Sequence, residues 1–172
     1  MTTMSRPFAL ARTGYDLLVR GASSLQSPLL LVVRLYWGYQ FFIAGKGKLM
    51  NLGQTAEYFG GELGLPFPTV NAALAATTEC VGGLLLLVGF ASRLVSLPLA
   101  FTMIVAYATA DLDALKAIFS DTDKFFEAAP FLFLFASILV LVFGPGKFSI
   151  DALIARKAAP SSTSTNFVAG EA

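Results

Sequence analysis

Long apolar runs alternate with short polar, Gly- and Pro-rich segments along this chain, a pattern of helices buried on every side and joined by brief connections. The clearest run is Val70 to Phe90, VNAALAATTECVGGLLLLVGF. At 1.5 Å per residue, roughly 20 apolar residues cross a hydrocarbon core about 30 Å thick. A first span is predicted to open at Pro28, read LLLVVRLYWGYQFFIAGKGKL, and close near Lys46 to Leu49. A third is predicted from about Leu94 to Ala110, with Pro98 near its start as a kink. A fourth follows from Phe125 or Ala128 to Phe143 and is closed by Gly144, Pro145 and Gly146.

The connections carry their own signals. Gly45 to Thr69 has loop composition, with room for one short helix near Thr55 to Phe59. Gly89 to Arg93 is long enough only for a tight turn between antiparallel spans, and Asp111, Asp113, Asp121 and Asp123 make the third connection wet. Before Pro28, Phe8, Ala11, Tyr15, Leu18, Ala22 and Leu25 recur at helical spacing while Arg12, Asp16 and Arg20 occupy another face, which predicts an amphipathic helix in the headgroup layer. Phe148 to Arg156 reads as a short terminal helix, and Pro160 to Ala172 as a disordered Ser/Thr tail. The expected organisation is an all-α membrane protein: residues 1–27 a cytoplasmic N-terminal segment, 28–153 a four-transmembrane-helix bundle, and 154–172 a cytoplasmic tail.

Composition agrees with a membrane protein and narrows the chemistry. Hydrophobic residues make up 56% of the 172-residue chain, charged residues 13%, and the mean hydropathy is +0.71, outside the range of soluble domains. A net charge of +1, with cations scattered singly, argues against nucleic acid as a partner. Having no histidine, the chain cannot ligate haem through histidine pairs or build a Ser/His/Asp or Cys/His nucleophile, and it lacks the usual nitrogen ligand for zinc or copper. Cys80 is the single cysteine, so neither a redox dithiol nor an iron–sulfur cluster can form within the chain. No intrinsic cofactor and no metal site are expected.

Charge also predicts orientation. The termini and the short turn hold seven cations against three acids, whereas the two opposite loops hold four cations against seven acids. Lys and Arg favour the cytoplasmic face, so both termini are expected there.

The candidate chemistry is the pair of charges inside the spans, Arg34 and Glu79. A lone carboxylate near mid-bilayer costs on the order of 3 kcal/mol even on lenient insertion scales, so Glu79 is expected to face the protein interior and to have a partner. Counting from the ends of two antiparallel spans puts Arg34 and Glu79 roughly 7 Å apart in depth, within an arginine's reach, which predicts a buried ion pair. Such a pair either fixes helix packing or lines a pocket for a polar head group or a proton. Trp37, Gly38, Phe41, Phe42, Gly83 and Tyr107 are the candidate pocket lining, and Arg93 marks the cytoplasmic turn. Small residues on the second span, Ala72, Ala76, Gly82 and Gly83, and on the first, Gly38 and Gly45, predict close helix packing.

The order of these motifs resembles the DoxX family of small four-span membrane proteins. RLYWGYQFFIAGKGKL from Arg34 to Leu49, ECVGGLLLLVGFASRL from Glu79 to Leu94, and GPGKFSIDAL from Gly144 to Leu153 resemble three successive family patterns. The stretch after Met103, IVAYATADLDAL, departs from them in carrying no histidine where relatives often have one. The resemblance implies a multi-pass protein of the bacterial cytoplasmic (inner) membrane, with Arg34, Glu79 and Arg93 as positions of interest. It implies membership of a redox complex, possible contact with a quinone, and a redox protein as partner; it does not decide whether the chain is an enzyme. A small proton-coupled transporter, with Glu79 as the titrating group, and a purely structural scaffold are the competing readings. Four short spans also make a homo-oligomer plausible, although no motif specifies one.

Overall fold

The computed structural model describes residues 6–158, with side chains from Arg12 onward. Eight helices and no strands occur among them: α1 Arg6–Met50, α2 Leu52–Gly61, α3 Pro68–Val88, α4 Ser92–Thr109, α5 Leu112–Lys116, α6 Thr122–Glu127, α7 Pro130–Phe143 and α8 Ile150–Ala158. α1, α3 and α4 are long and apolar enough to cross a membrane. α7, although the most uniformly apolar, has 14 residues and is roughly 21 Å long.

These four form an up-down-up-down bundle, α1 against α3, α3 against α4, α4 against α7, and α7 back against α1. The chain is therefore an all-helical membrane protein, as its apolar runs predict. At the centre lie Phe41, Leu86, Val95, Leu99, Met103 and Val140. Buried Ser96 and Ser137 donate their hydroxyls to the carbonyls of Ser92 and Phe133 one turn back, which satisfies polar atoms that lipid could not.

The α1/α3 contact is unusually close because glycines make it so. A Cβ at Gly38 would lie 2.8 Å from the backbone nitrogen of Leu87, one at Gly83 would lie 2.5 Å from that of Phe42, and one at Gly45 would overlap the backbone of Cys80. As α1 advances seven residues from Gly38 to Gly45, α3 retreats seven from Leu87 to Cys80, so the glycines set a single antiparallel register along two helical turns.

Two expected boundaries differ. Pro28 does not open the first span: α1 runs through it without a break, so the segment expected to end at residue 27 and the span after it are one helix. A proline inside a helix forfeits one backbone bond, here to the carbonyl of Ser24, and that loss is tolerated because the surrounding turns stay paired. The fourth helix begins at Pro130 rather than Phe125 or Ala128, because Ala128 is extended ahead of the proline-led start. The connection before it, expected only to be wet, holds α5 and α6. α2 and α8 match the short helices expected near residues 55–59 and 148–156. The tail expected from Pro160 onward lies outside the described residues.

Candidate functional site

Arg34 and Glu79 are both buried, but they do not meet. In the register set by the glycines Glu79 is level with Lys46, twelve residues or roughly 18 Å along α1 from Arg34. The expected pairing fails because α1 does not start at Pro28. It extends far past the bundle, and Arg34 lies level with the α3–α4 turn instead of partway down α3.

Glu79 pairs with Lys48. The lysine Nζ donates to both carboxylate oxygens, at 2.5 and 2.6 Å, and the Glu79 side chain is 2% exposed against 35% for Lys48. α1 delivers Lys48 in its last turn, one turn beyond the Gly45 crossing, where the close helices leave the lysine stem only a short reach to α3. The attraction is strong because one partner is wholly out of water, and either charge alone would be costly there. Lys48 is the partner of Glu79 that reading the sequence misses. Counted as a loop cation, it is in fact placed by the glycine spacing that the sequence already displays.

Two cavities meet at this pair. The larger, about 770 Å³ and half open, lies among α2, α3 and α4. Its wall is mostly apolar, with Leu74, Phe101 and Val105 facing it and Asn51, Thr78 and Thr102 as neutral polar groups near the charges. The smaller, about 250 Å³, lies between α1, α4 and α7 and is lined by Phe41, Met103, Asp111 and Phe133. Lys48, Glu79 and Ala106 border both. Among the described residues no group of three or more His, Cys, Asp or Glu side chains converges to hold a metal ion.

Of the expected pocket residues, Phe41 alone lines a cavity, the smaller one. Gly38, Phe42 and Gly83 form the α1/α3 crossing. Trp37 packs edge-on against Phe133. Tyr107 is buried, stacks on Phe125 and donates its hydroxyl to that residue's carbonyl at 2.8 Å, tying α4 to α6. Trp37, Phe42 and Tyr107 serve packing here, and the wall of the larger cavity is built mainly from α2, α3 and α4 positions nearer the opposite end.

At the other end of the bundle, charges are spent on the backbone. Arg34 donates Nη2 to the carbonyl of Phe148 at 2.5 Å, while its Nε and Nη1 find no acceptor among the described residues. Gly89 makes room for it, since any Cβ there would overlap the guanidinium. The Asp151 carboxylate accepts from the amides of Ala91 and Ser92 at 2.7 and 2.8 Å, capping α4, and its own amide donates to Gly89. Arg93 donates to the carbonyl of Val142 at 3.2 Å. The closing GPGKFSIDAL is thus a strap that fastens α7 and α8 onto the α3–α4 turn.

Comparison with known proteins accords with this architecture. The family model described as DoxX matches residues 29–112. "Putative oxidoreductase CatD" of Bacillus subtilis (strain 168) is 32% identical over 124 residues, 72% of this chain and 85% of the relative. "Uncharacterized membrane protein Rv3486" of Mycobacterium tuberculosis (strain H37Rv) is 29% identical over 137 residues, 76% of this chain and 84% of the relative. No solved structure matches. Extended likeness to a relative across most of both chains, together with the family model, leaves no ambiguity: the chain belongs to the DoxX family.

Proposed function

We propose that this chain is the membrane subunit of a redox assembly and that its larger cavity receives a lipid-soluble quinone. The observation that carries the reading is the cavity itself: about 770 Å³, half open, mostly apolar, and ended by the half-buried Lys48–Glu79 pair. Sites for small organic ligands have this volume and this mixture of apolar wall and few placed polar groups. One relative's name speaks of an oxidoreductase, and the chain carries no histidine and one cysteine, so electrons would come from a partner protein. A quinone supplies reversible two-electron, two-proton chemistry at its ring oxygens. Lys48 would donate to such an oxygen, Glu79 would hold the ammonium in place, and the apolar wall would take the isoprenoid-like tail and exclude water.

The same reading extends to topology. α7 traverses the bundle beside α4 and is taken as a fourth, short span, which puts both termini at the Arg34 end. With Lys48 neutralised by Glu79, the loops at the other end keep three cations against seven acids, and the Arg34 end faces the cytoplasm. In a bacterial inner membrane, a membrane-impermeant maleimide added to intact cells should leave a cysteine at position 20 unlabelled; labelling there reverses the orientation.

Equilibrium dialysis of the full chain in nanodiscs against a short-tailed benzoquinone and a naphthoquinone tests the ligand. Saturable binding is expected, abolished by Thr102→Phe, which fills the cavity and leaves the ion pair alone. Absence of saturable binding by either quinone overturns the proposal. A small proton-coupled carrier is favoured by one observation, that the same pair borders both cavities. A pH-driven flux in proteoliposomes that Glu79→Gln abolishes, without quinone binding, would put the carrier first.

A further inference from the structure

We infer that α1 is a dimerisation helix and that its occupant is a second copy of this chain. Every residue from Arg12 to Gln26 is exposed, so this part of α1 extends beyond the bundle formed by α3, α4 and α7. The bundle takes hold at Ser27, whose hydroxyl accepts from the amide of Lys147, and at buried Leu30.

Apolar residues on the free part are not scattered. Tyr15, Leu18, Ala22, Leu25, Leu29 and Val32 alternate steps of three and four, and the register extends back in sequence to Ala11 and Phe8. This is a heptad repeat, the 3.5-residue period that brings two helices together side by side along a continuous seam. Tyr15 and Leu18 are each 68% exposed, Leu25 65%, and Leu29 and Val32 62%. The seam continues down the bundle through exposed Tyr36, Tyr39 and Ile43, on the side of α1 away from the α3 contact made by Gly38, Phe42 and Gly45.

Lipid can cover the lower part of that stripe. The upper part extends past the bundle, and the Leu and Tyr side chains there form an exposed apolar stripe of the kind that marks an interaction surface. A second copy fits for two reasons. Every copy inserts with the same orientation, so two α1 helices are parallel and level, which places each heptad position beside its own counterpart about a two-fold axis along the membrane normal. With Tyr36, Tyr39 and Ile43 included, the exposed area of the stripe is roughly 900 Å² per chain, and burying about two-thirds of it in each copy removes about 1,200 Å², the lower bound for a stable specific interface. Asp16 and Arg20 lie off the seam and stay solvated, while Gly14 and Gly21 beside it present no bulk.

Disulfide crosslinking of the full chain in its native membrane tests this. Leu18→Cys and Leu25→Cys should form covalent dimers under mild oxidation, several-fold more than Arg20→Cys on the opposite face, and Cys80 of the parent chain sets the background. In nanodiscs, Leu18→Glu with Leu25→Glu should turn a dimer into a monomer while leaving the unfolding temperature of the bundle unchanged. Equal crosslinking at positions 18 and 20, or none at 18, overturns the proposal. A spin label at position 18 then tells what covers the helix instead: strong oxygen accessibility means a lipid surface, and strong accessibility to a water-soluble nickel chelate means bare solvent.

Discussion

The two ends of the bundle use charge in opposite ways. At the Arg34 end buried Arg34, half-buried Asp151 and exposed Arg93 are directed at the main chain: Arg34 at the carbonyl of Phe148, Arg93 at that of Val142, Asp151 at two amides. At the Lys48 end a charge is directed at another charge, and the pair stands between two cavities. A side chain bonded to the backbone has no substitute partner and fixes where segments go. A side-chain pair beside open volume leaves room for a third participant. The first arrangement is a fastening, the second a place where something can bind.

The largest expected effects therefore lie at the fastening. Asp151→Ala leaves the amides of Ala91 and Ser92 without their acceptor at a sharp turn, and two charge-assisted bonds of this kind are together worth about 3 kcal/mol. Arg34→Ala removes a wholly buried side chain and opens a cavity, for a loss of about 3–5 kcal/mol. Because the two act on different backbone atoms, the double variant should be no more stable than the worse single one. Unfolding in detergent followed by circular dichroism reads this directly. Recovery in the double variant would mean that they act mainly on each other and would remove the contrast between the ends.

At the Lys48 end recovery is the expected result. Lys48→Met strands a carboxylate that is almost wholly buried, at about 2–3 kcal/mol after allowing for the water that reaches the lysine. Glu79→Gln leaves the ammonium without its counter-charge and costs less, since Lys48 is one-third exposed. Combining the two removes both charges, and stability should return to within about 1 kcal/mol of the parent. The same detergent unfolding series measures it. A double variant as unstable as Lys48→Met would make the pair part of the fastening.

This contrast marks where the sequence is readable. The long apolar helices and most of their ends follow from apolar length and from Gly and Pro punctuation, signals that act within one segment, whereas the fusion across Pro28 and the short helices α5 and α6 do not. Buried Arg34 and Glu79 are equally legible, because a charge in an apolar run has to turn inward. Their partners are not, since pairing depends on register between segments, and register here comes from backbone contact at Gly38, Gly45 and Gly83. Those glycines are visible, but the extension of α1 beyond Pro28 shifts every depth counted from that proline. Asp151 looks like part of a terminal motif, and only the folded turn exposes its role as a cap for residues sixty positions earlier.

The smallest effect compares the two helix starts that share a backbone conformation. Phe67 before α3 and Ala91 before α4 both have left-handed φ, 47° and 48°, though neither is glycine. A side chain pays roughly 1–2 kcal/mol in steric crowding there, while glycine returns about 0.5–1 kcal/mol to the unfolded chain as entropy. Glycine at either site should then stabilise by about 0.5 kcal/mol. At Ala91 the gain should be larger in the Asp151→Ala background, where nothing else holds the turn. At Phe67 the preceding-proline position adds crowding, because Pro68 disfavours helical backbone before it. Yet Phe67 is 79% exposed, and its carbonyl accepts from the backbone amide of Asn71, whose side-chain amide donates to the carbonyl of Pro66 at 2.6 Å. If Phe67→Gly destabilises the protein in bilayers but stabilises it in detergent, the ring is anchored in lipid, and strain at this end is kept for a membrane contact rather than for folding.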